Sequence, residues 1–182
     1  ENNLPKDVWW NRVMTVCGPH LDAPSGTYPN LEMYNVTVAC QHCENPACVK
    51  VCPVGATYKD PETGVVRQDY DKCIGCRMCM SACPYNGVRS FNWEEPTYHL
   101  DFATGDQDVA PHQKHVVAKC TFCWHRLAKG LAPACVEVCS ARARIFGDAN
   151  DPDSAVSQKL KERSSMRLLE DRDTEPSVYF LR

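Results

Sequence analysis

The chain has 182 residues, of which 13 are cysteine (13/182, about 7%), and a formal net charge of −3 from 20 Lys and Arg against 23 Asp and Glu. Nucleic-acid-binding domains normally have a pI above about 9, so the pI of 6.1 argues against that class. No segment approaches the roughly 18 uninterrupted apolar residues that a transmembrane helix needs, so the sequence predicts no membrane span.

Two strand-like segments precede the main cysteine groups. Residues 8–16 (VWWNRVMTV) and 31–38 (LEMYNVTV) are rich in β-branched and aromatic side chains, which favour strands. The residues between them, 17–30, are rich in Pro, Gly and Asp and are predicted as a loop. We therefore predict an antiparallel hairpin that leads into Cys40.

Twelve of the cysteines fall into three groups, and the thirteenth is Cys17. The first group has the spacing C-x2-C-x4-C-x3-C-P, and the second has C-x2-C-x2-C-x3-C-P, the run of bacterial ferredoxins. In the third group the middle gap expands to eleven residues. The first group is Cys40, Cys43, Cys48 and Cys52; the second is Cys73, Cys76, Cys79 and Cys83; the third is Cys120, Cys123, Cys135 and Cys139.

The three groups are predicted to be repeats of one supersecondary unit. Small residues and a short strand-like run follow each fourth cysteine, as PVGATY, PYNGVRSF and SARARIF. Between the first two groups, residues 56–59 and 65–68 flank the turn sequence DPETG, which predicts a second hairpin.

Disulfides, zinc and iron–sulfur clusters compete as explanations of the cysteines. The odd count and the tight spacings argue against disulfides. A structural zinc site normally joins two C-x2-C knuckles across a dozen or more residues, so four cysteines in one short run fit zinc poorly. Pro53 and Pro84, each directly after a fourth cysteine, favour clusters. Zinc in the first two groups remains the alternative.

In two-cluster ferredoxins the fourth cysteine of a run binds the other cluster. Pro53 and Pro84 directly follow these fourth cysteines and are expected to turn the chain away from its own cluster. Gly75 suits a close approach of backbone to a cluster. This rule gives cluster one the ligands Cys40, Cys43, Cys48 and Cys83, and cluster two the ligands Cys73, Cys76, Cys79 and Cys52.

The third group leaves the ligand count uneven. The same rule assigns Cys120, Cys123 and Cys135 to a third cluster and Cys139 to a fourth, with too few cysteines to complete either. Three solutions stay open: a further group lies before Glu1, all four cysteines bind one cluster, or Cys17 completes a site.

The remaining segments carry weaker signals. Residues 94–114, with His99 and His112 and followed by His115, are predicted as a solvated or partner-facing loop, with a metal site as the alternative. A helix is predicted from Asp151, with Pro152 in its first turn and helical spacing to residue 168. Residues 175–182 form an extended tail that packs either on a partner or as a strand of this chain.

Several basic residues flank the cysteines. They could raise cluster potentials by charge and hydrogen bonding, but most are expected to be solvated bases. His42 is not predicted as a ligand, because cysteines already fill the coordination. The basic residues are Lys72, Arg77, Arg89 and Lys119.

From about Glu1 to Arg182, and most specifically over residues 40–59, 69–93 and 119–148, the chain resembles the iron–sulfur (electron-transfer, beta) subunits of the DMSO-reductase family of molybdopterin oxidoreductases. The segments that carry the resemblance are CQHCENPACVKVCPVGATYK, DYDKCIGCRMCMSACPYNGVRSFNW and KCTFCWHRLAKGLAPACVEVCSARARIFGD. It implies four cysteine groups, usually four [4Fe-4S] clusters, and a first group just before Glu1 that supplies the other ligands of clusters three and four. Ser140 stands where the family usually has proline, and Cys17 matches no family ligand, which favours a free thiol.

The resemblance implies an α+β fold of tandem bacterial ferredoxin-like, two-[4Fe-4S] modules with small β-hairpins, an insertion loop and a C-terminal helix and tail. The predicted organisation is an N-terminal hairpin region continuing the first family group over 1–39, a two-cluster module over 40–93, an insertion loop over 94–119, a second ferredoxin-like half over 120–150, and a C-terminal helix with a partner-facing tail over 151–182.

The sequence contains no G-x-S-x-G, Walker or Rossmann motif, so no catalysis is predicted for this chain. The resemblance implies an electron-transfer subunit that relays single electrons through two to four [4Fe-4S] clusters for a large molybdopterin catalytic subunit in anaerobic respiration. A membrane-anchor subunit or a quinone-linked donor can complete such a complex. Two compartments stay open: the periplasmic face of a bacterial membrane, by co-export with the partner, or the cytoplasm. The alternatives are a zinc-stabilised interaction module and a free-standing polyferredoxin.

Overall fold

The computed structural model describes residues 1–16, 23–102 and 104–182. In these ranges the chain combines short helices with five two-stranded antiparallel sheets, an α+β architecture. The elements in chain order are β1 Asn11–Val16, β2 Ser25–Thr27, β3 Asn30–Glu32, β4 Tyr34–Ala39, α1 Ala47–Lys50, β5 Thr57–Lys59, β6 Val66–Gln68, α2 Met78–Ser81, β7 Arg89–Phe91, β8 Val117–Lys119, α3 Trp124–Leu127, α4 Ala134–Glu137, α5 Ala155–Glu162, β9 Ser165–Met166, a 3-10 helix Glu170–Arg172 and β10 Phe180–Leu181.

The predicted N-terminal hairpin is confirmed. Strand β1 pairs antiparallel with β4, in a register that runs from Asn11 opposite Ala39 to Val16 opposite Tyr34. The predicted loop over 17–30 is wrong in part, because β2 lies within it and pairs with β3. Turn residues such as Pro29 occur in hairpins as well as in loops, so this composition does not distinguish the two. Cys17 and the rest of 17–22 lie outside the described residues.

The predicted hairpin between the first two cysteine groups is also confirmed, as β5 paired with β6. Asp60 closes its turn, since one carboxylate oxygen accepts hydrogen bonds from the backbone N–H groups of Glu62 and Thr63, at 3.1 and 3.0 Å. The backbone N–H of Gly64 donates to the carbonyl of Asp60 at 2.9 Å. The hairpin therefore has a fixed end between the first two groups.

The predicted insertion loop over 94–119 ends in a buried strand. Residues Val117–Lys119 form β8, which is buried throughout and pairs with β7. His112, expected in a solvated loop, is buried against the rings of Trp10 and Tyr70, at centroid distances of 5.6 and 5.9 Å. A strand of three residues is too short to show an alternating pattern, so the sequence does not predict β8.

The C-terminal helix is shorter than predicted. It begins at Ala155 after the N-cap Ser154, whose hydroxyl accepts from the Ser157 N–H at 3.1 Å. Asp151 caps a preceding turn instead, accepting from the Asp153 N–H at 2.9 Å. Helix α5 ends at Glu162, and the predicted helical spacing up to residue 168 is wrong, because β9 there pairs with β10. Serines compete for backbone hydrogen bonds and favour this break.

The buried core lies around the cysteines. One hydrophobic core cluster joins Cys43 to Val36, Val38, Tyr85 and Val88, with Cys83 packed against it. A second joins Cys48 and Cys79 to Val66 and Val117, with Cys73 packed against it. A third, of Val8, Trp10 and Ala118, contacts Cys120. No helix among the described residues has the length and apolar character to cross a bilayer.

Candidate metal centres

The sequence repeat is present in the backbone. In each group the third cysteine lies on a one-turn helix: Cys48 on α1, Cys79 on α2 and Cys135 on α4. A short strand follows the first two groups, β5 and β7. The strand predicted over SARARIF after the third group is wrong, because residues 140–146 form no helix or strand.

A second repeated feature is a left-handed residue just before the second cysteine of each group. His42, Gly75 and Phe122 have φ values of 43°, 69° and 53°. Such a residue turns neighbouring N–H groups toward one side of the chain and forms a concave, anion-binding loop. Only Gly75 signalled this in the sequence, because residues other than Gly, Asn and Asp seldom adopt this conformation.

Replacing Gly75 with alanine should damage the second loop. A Cβ at Gly75 would lie 2.4 Å from the carbonyl oxygen of His115, and the His115 backbone is held by an N–H donation to the Asn92 carbonyl at 2.7 Å. We expect Gly75→Ala to lower the free energy of unfolding by roughly 3 kcal/mol. Gly130→Ala is the matched control, since Gly130 also has positive φ but no atom within 4 Å of an added Cβ; it should cost only about 1–2 kcal/mol. Chemical denaturation measures both, and equal losses would contradict this account.

Cysteines of two different groups meet in one cavity. Cys73, Cys76 and Cys79 of the second group and Cys52 of the first line one small cavity. Burial raises the pKa of Cys52, but backbone N–H groups, that of Thr57 foremost, outweigh burial and lower it. The Thr57 N–H donates to the Cys52 sulfur at 3.4 Å. Four thiols that converge on one cavity are a donor set that fits a cubane cluster.

The reciprocal set is the one predicted for cluster one: Cys40, Cys43 and Cys48 of the first group with Cys83 of the second. Cys83 of the second group packs against the core cluster that contains Cys43 of the first. Burial raises the pKa of Cys83 to about 11, and Cys40 and Cys48 are near enough to add to this shift by charge repulsion. Burial also disfavours the thiolate of Cys40, yet His42 and Lys119 hold its pKa well below the usual range. The two ligand sets are adjacent, because Cys48 of the first set and Cys79 of the second belong to the same hydrophobic core cluster.

The third group behaves differently. Cys120, Cys123 and Cys135 line a large open groove, and Cys40 lines it as well. Burial raises the pKa of Cys120 to about 12. Cys139 is not among the groove's lining residues, and backbone N–H groups, those of Arg144 and Ala143 foremost, lower its pKa. The structure therefore brings three cysteines of this group to one surface and leaves the fourth aside.

Two basic residues that were expected to be solvated are buried. Lys119 is 0% exposed and Arg89 is 4% exposed, while Lys72 and Arg77 are exposed, so the expectation that most of these bases are solvated holds for only two of the four. His42 is buried as well; its ring stacks on that of Phe122 at 3.8 Å, and its Nδ1 accepts from the Val66 N–H at 3.2 Å.

The histidines of the insertion do not gather into a metal site within the described residues. His99 and His115 are exposed and His112 is buried. Within the described ranges, one group of three His, Cys, Asp or Glu side chains has its ligand atoms within 4.8 Å of one another: Glu1, Asp106 and His125. There the Glu1 carboxylate already pairs with His125 Nε2 at 2.9 Å.

The chain matches the family model described as a 4Fe-4S dicluster domain, over residues 31–99 and 107–149. These ranges contain all twelve cysteines of the three groups.

Several known proteins are similar over the whole chain. A candidate iron-sulfur subunit of a dimethyl sulfoxide reductase, from Halobacterium salinarum, is 54% identical, and the match covers 100% of this chain and 70% of that protein. A selenate reductase subunit of Mesobacillus selenatarsenatis is 42% identical, over 100% of this chain and 64% of that protein, which is less than two thirds of its length. The arsenate respiratory reductase iron-sulfur subunit of a Shewanella species is 36% identical, over 100% of this chain and 86% of that protein.

Proposed function

We propose that this chain, which belongs to the 4Fe-4S dicluster domain family, relays single electrons to or from a molybdopterin-containing catalytic subunit. The observation that carries the proposal is the meeting of Cys52 with Cys73, Cys76 and Cys79 in one cavity. A crossed pair of clusters lies close together and in fixed relation, as electron transfer between them requires. When bound, each cluster takes up and releases one electron at a time.

The ligand sets form part of the same proposal. Cluster one takes Cys40, Cys43, Cys48 and Cys83, and the packing of Cys83 against the core cluster that contains Cys43 supports this. Cluster two takes Cys73, Cys76, Cys79 and Cys52. We assign Cys120, Cys123 and Cys135 to cluster three, supported by their common groove, and Cys139 to cluster four, supported by its position outside that groove.

We also propose the organisation in two ferredoxin-like halves. Residues 40–93 form the two-cluster module, and the hairpin β5–β6 and strand β7 support its boundaries. Residues 120–150 form the second half, which shares the one-turn helix and the left-handed residue before the second cysteine. The stack of His42 on Phe122 joins equivalent positions of the two halves.

The partner is proposed from the relatives. Proteins named as subunits of dimethyl sulfoxide, selenate and arsenate reductases are similar to this chain, and the first and third of these are named as iron-sulfur subunits. Such a subunit needs a separate chain for substrate chemistry, and we propose a large molybdopterin catalytic subunit for that role. A membrane-anchor subunit or a quinone-linked donor is the proposed partner at the other end of the relay.

The experiment follows electrons into the partner. The complex is purified without oxygen, its clusters are reduced with dithionite, the excess reductant is removed, and dimethyl sulfoxide, selenate or arsenate is added. We expect the visible absorbance of the oxidised clusters to return only with a substrate of the complex and only when the catalytic subunit is present. Reoxidation by the substrate with this chain alone would contradict the proposal.

A further inference from the structure

Two buried cations lie directly opposite each other in the β7–β8 sheet. Arg89 of β7 is the register partner of Lys119 of β8, and the residues are 4% and 0% exposed. Residues directly opposite in an antiparallel pair are on the same face and close together, and like charges there are destabilising. The pair therefore needs a strong source of negative potential.

Neutral partners supply only part of this need. Arg89 Nη1 donates to Gln68 Oε1 at 3.3 Å and to Thr57 Oγ1 at 3.5 Å, and its Nη2 has no hydrogen-bond partner. Lys119 Nζ donates to the carbonyls of Val66 and Cys120, the latter at 2.9 Å.

Carboxylates do not supply the rest. In the described part of the chain, every ion pair involves other residues than these two. An unpaired buried charge costs several kcal/mol, so a different anion is required.

Cysteines of the proposed ligand sets lie near this pair, and their thiolate forms are anionic. Arg89 lies beside Cys48 of cluster one and Cys79 of cluster two. Lys119 lies beside Cys40 of cluster one and directly before Cys120 of cluster three. A cubane cluster held by four thiolates is anionic, and its negative charge grows by one when it accepts an electron.

We propose that Arg89 and Lys119 are the counter-charges of the clusters, with overlapping reach: Arg89 acts on clusters one and two, and Lys119 acts on clusters one and three. Each cation stabilises the reduced form of the clusters beside it and so raises their reduction potentials. Cluster one lies within reach of both cations. This inference rests on the proposed function, from which it takes the ligand sets.

The test is a redox titration of the iron-loaded complex, followed by electron paramagnetic resonance so that each cluster is resolved. Arg89→Gln should make clusters one and two harder to reduce, and Lys119→Met should do so for clusters one and three. We expect about a tenfold change in the reduction equilibrium of cluster one in each variant, which is about 59 mV for one electron. Arg89→Lys and Lys119→Arg keep the charge and should stay within a third of that shift.

Lys72→Gln is the matched control, because Lys72 directly precedes a predicted ligand, Cys73, but is 64% exposed and pairs with Asp69 at 3.1 Å. Solvent screens its charge, so no cluster should shift. If Arg89→Gln fails to assemble cluster one, recovery of the cluster in Arg89→Lys supports the proposal, and failure in both variants contradicts it.

Iron-loaded Arg89→Gln and Lys119→Met proteins with wild-type potentials would overturn this inference and leave the proposed function standing. A wild-type complex without iron would overturn the proposed function itself. The two failures are therefore distinguishable.

Discussion

Replacing Cys52 with alanine is expected to remove cluster two and leave cluster one intact, although Cys52 belongs by sequence to the first cysteine group. The physical reason is that its sulfur lines the cavity of Cys73, Cys76 and Cys79. Cys83→Ala should have the reciprocal effect on cluster one, since Cys83 packs against the core cluster that contains Cys43. Each variant should lose about four iron atoms per chain, the content of one cubane.

Iron determination together with the cluster-resolved resonance spectrum measures this effect. Cys17→Ala is the control, because Cys17 is predicted from the sequence to bind no cluster, and its iron content should equal that of the wild type. Loss of cluster one in Cys52→Ala, with cluster two retained, would contradict the crossed assignment. That result would mean that the four cysteines of the first group bind one and the same cluster.

Deleting residues 174–182 is expected to expose cluster one but not cluster two. This tail was predicted to pack either on a partner or as a strand of this chain; Phe180–Leu181 form a strand of this chain, and residues 174–177 contact the first cysteine group. The backbone N–H groups of Glu44 and Asn45 donate to the carbonyls of Glu175 and Thr174, at 2.7 and 3.1 Å. Ser177 donates from its N–H to Gln41 and from its hydroxyl to His42, at 3.0 and 2.8 Å.

The side chains of the tail add to this cover. Thr174 is buried and its hydroxyl lies 2.8 Å from that of Tyr85, and Pro176 is fully buried. Each hydrogen bond contributes about 1 kcal/mol, so the loop around Cys43 should open far more often without the tail.

We expect cluster one to bleach in air at least about tenfold faster after the deletion, which corresponds to about 1.4 kcal/mol of lost closing free energy. Cluster two, whose cavity the tail does not line, should bleach at the wild-type rate. Deletion of residues 181–182 alone is the control, because it keeps every contact of Thr174 to Ser177. Equal acceleration for both clusters would show that the tail acts on general stability and would contradict this assignment.

The cysteine spacings and the turn signals carried the sequence prediction furthest. The run from Cys73 to Pro84 specified a ferredoxin motif because cluster ligation imposes a spacing on the chain itself. The hairpin β5–β6 followed from Pro61 and Gly64, whose backbone preferences are local. Both features depend on residues that are near one another in sequence.

Features that depend on distant residues could not be predicted. Nothing near Lys119 in the sequence shows that it lies opposite Arg89, because the register joins strands that are separated by the whole insertion. His42 and Phe122 hold left-handed conformations through tertiary packing. Residues 163–168 have helical spacing, but Ser165 and Met166 pair with Leu181 and Phe180 instead, and this pairing outweighs a weak local preference.

The most direct test of the central claim is the metal and sulfide content of the purified, oxygen-protected protein. Iron and acid-labile sulfide should be present in equal amounts, with at least about eight of each per chain, the content of two cubanes. Zinc should be absent, and the protein should be brown. A colourless protein that contains zinc and no acid-labile sulfide would contradict the account.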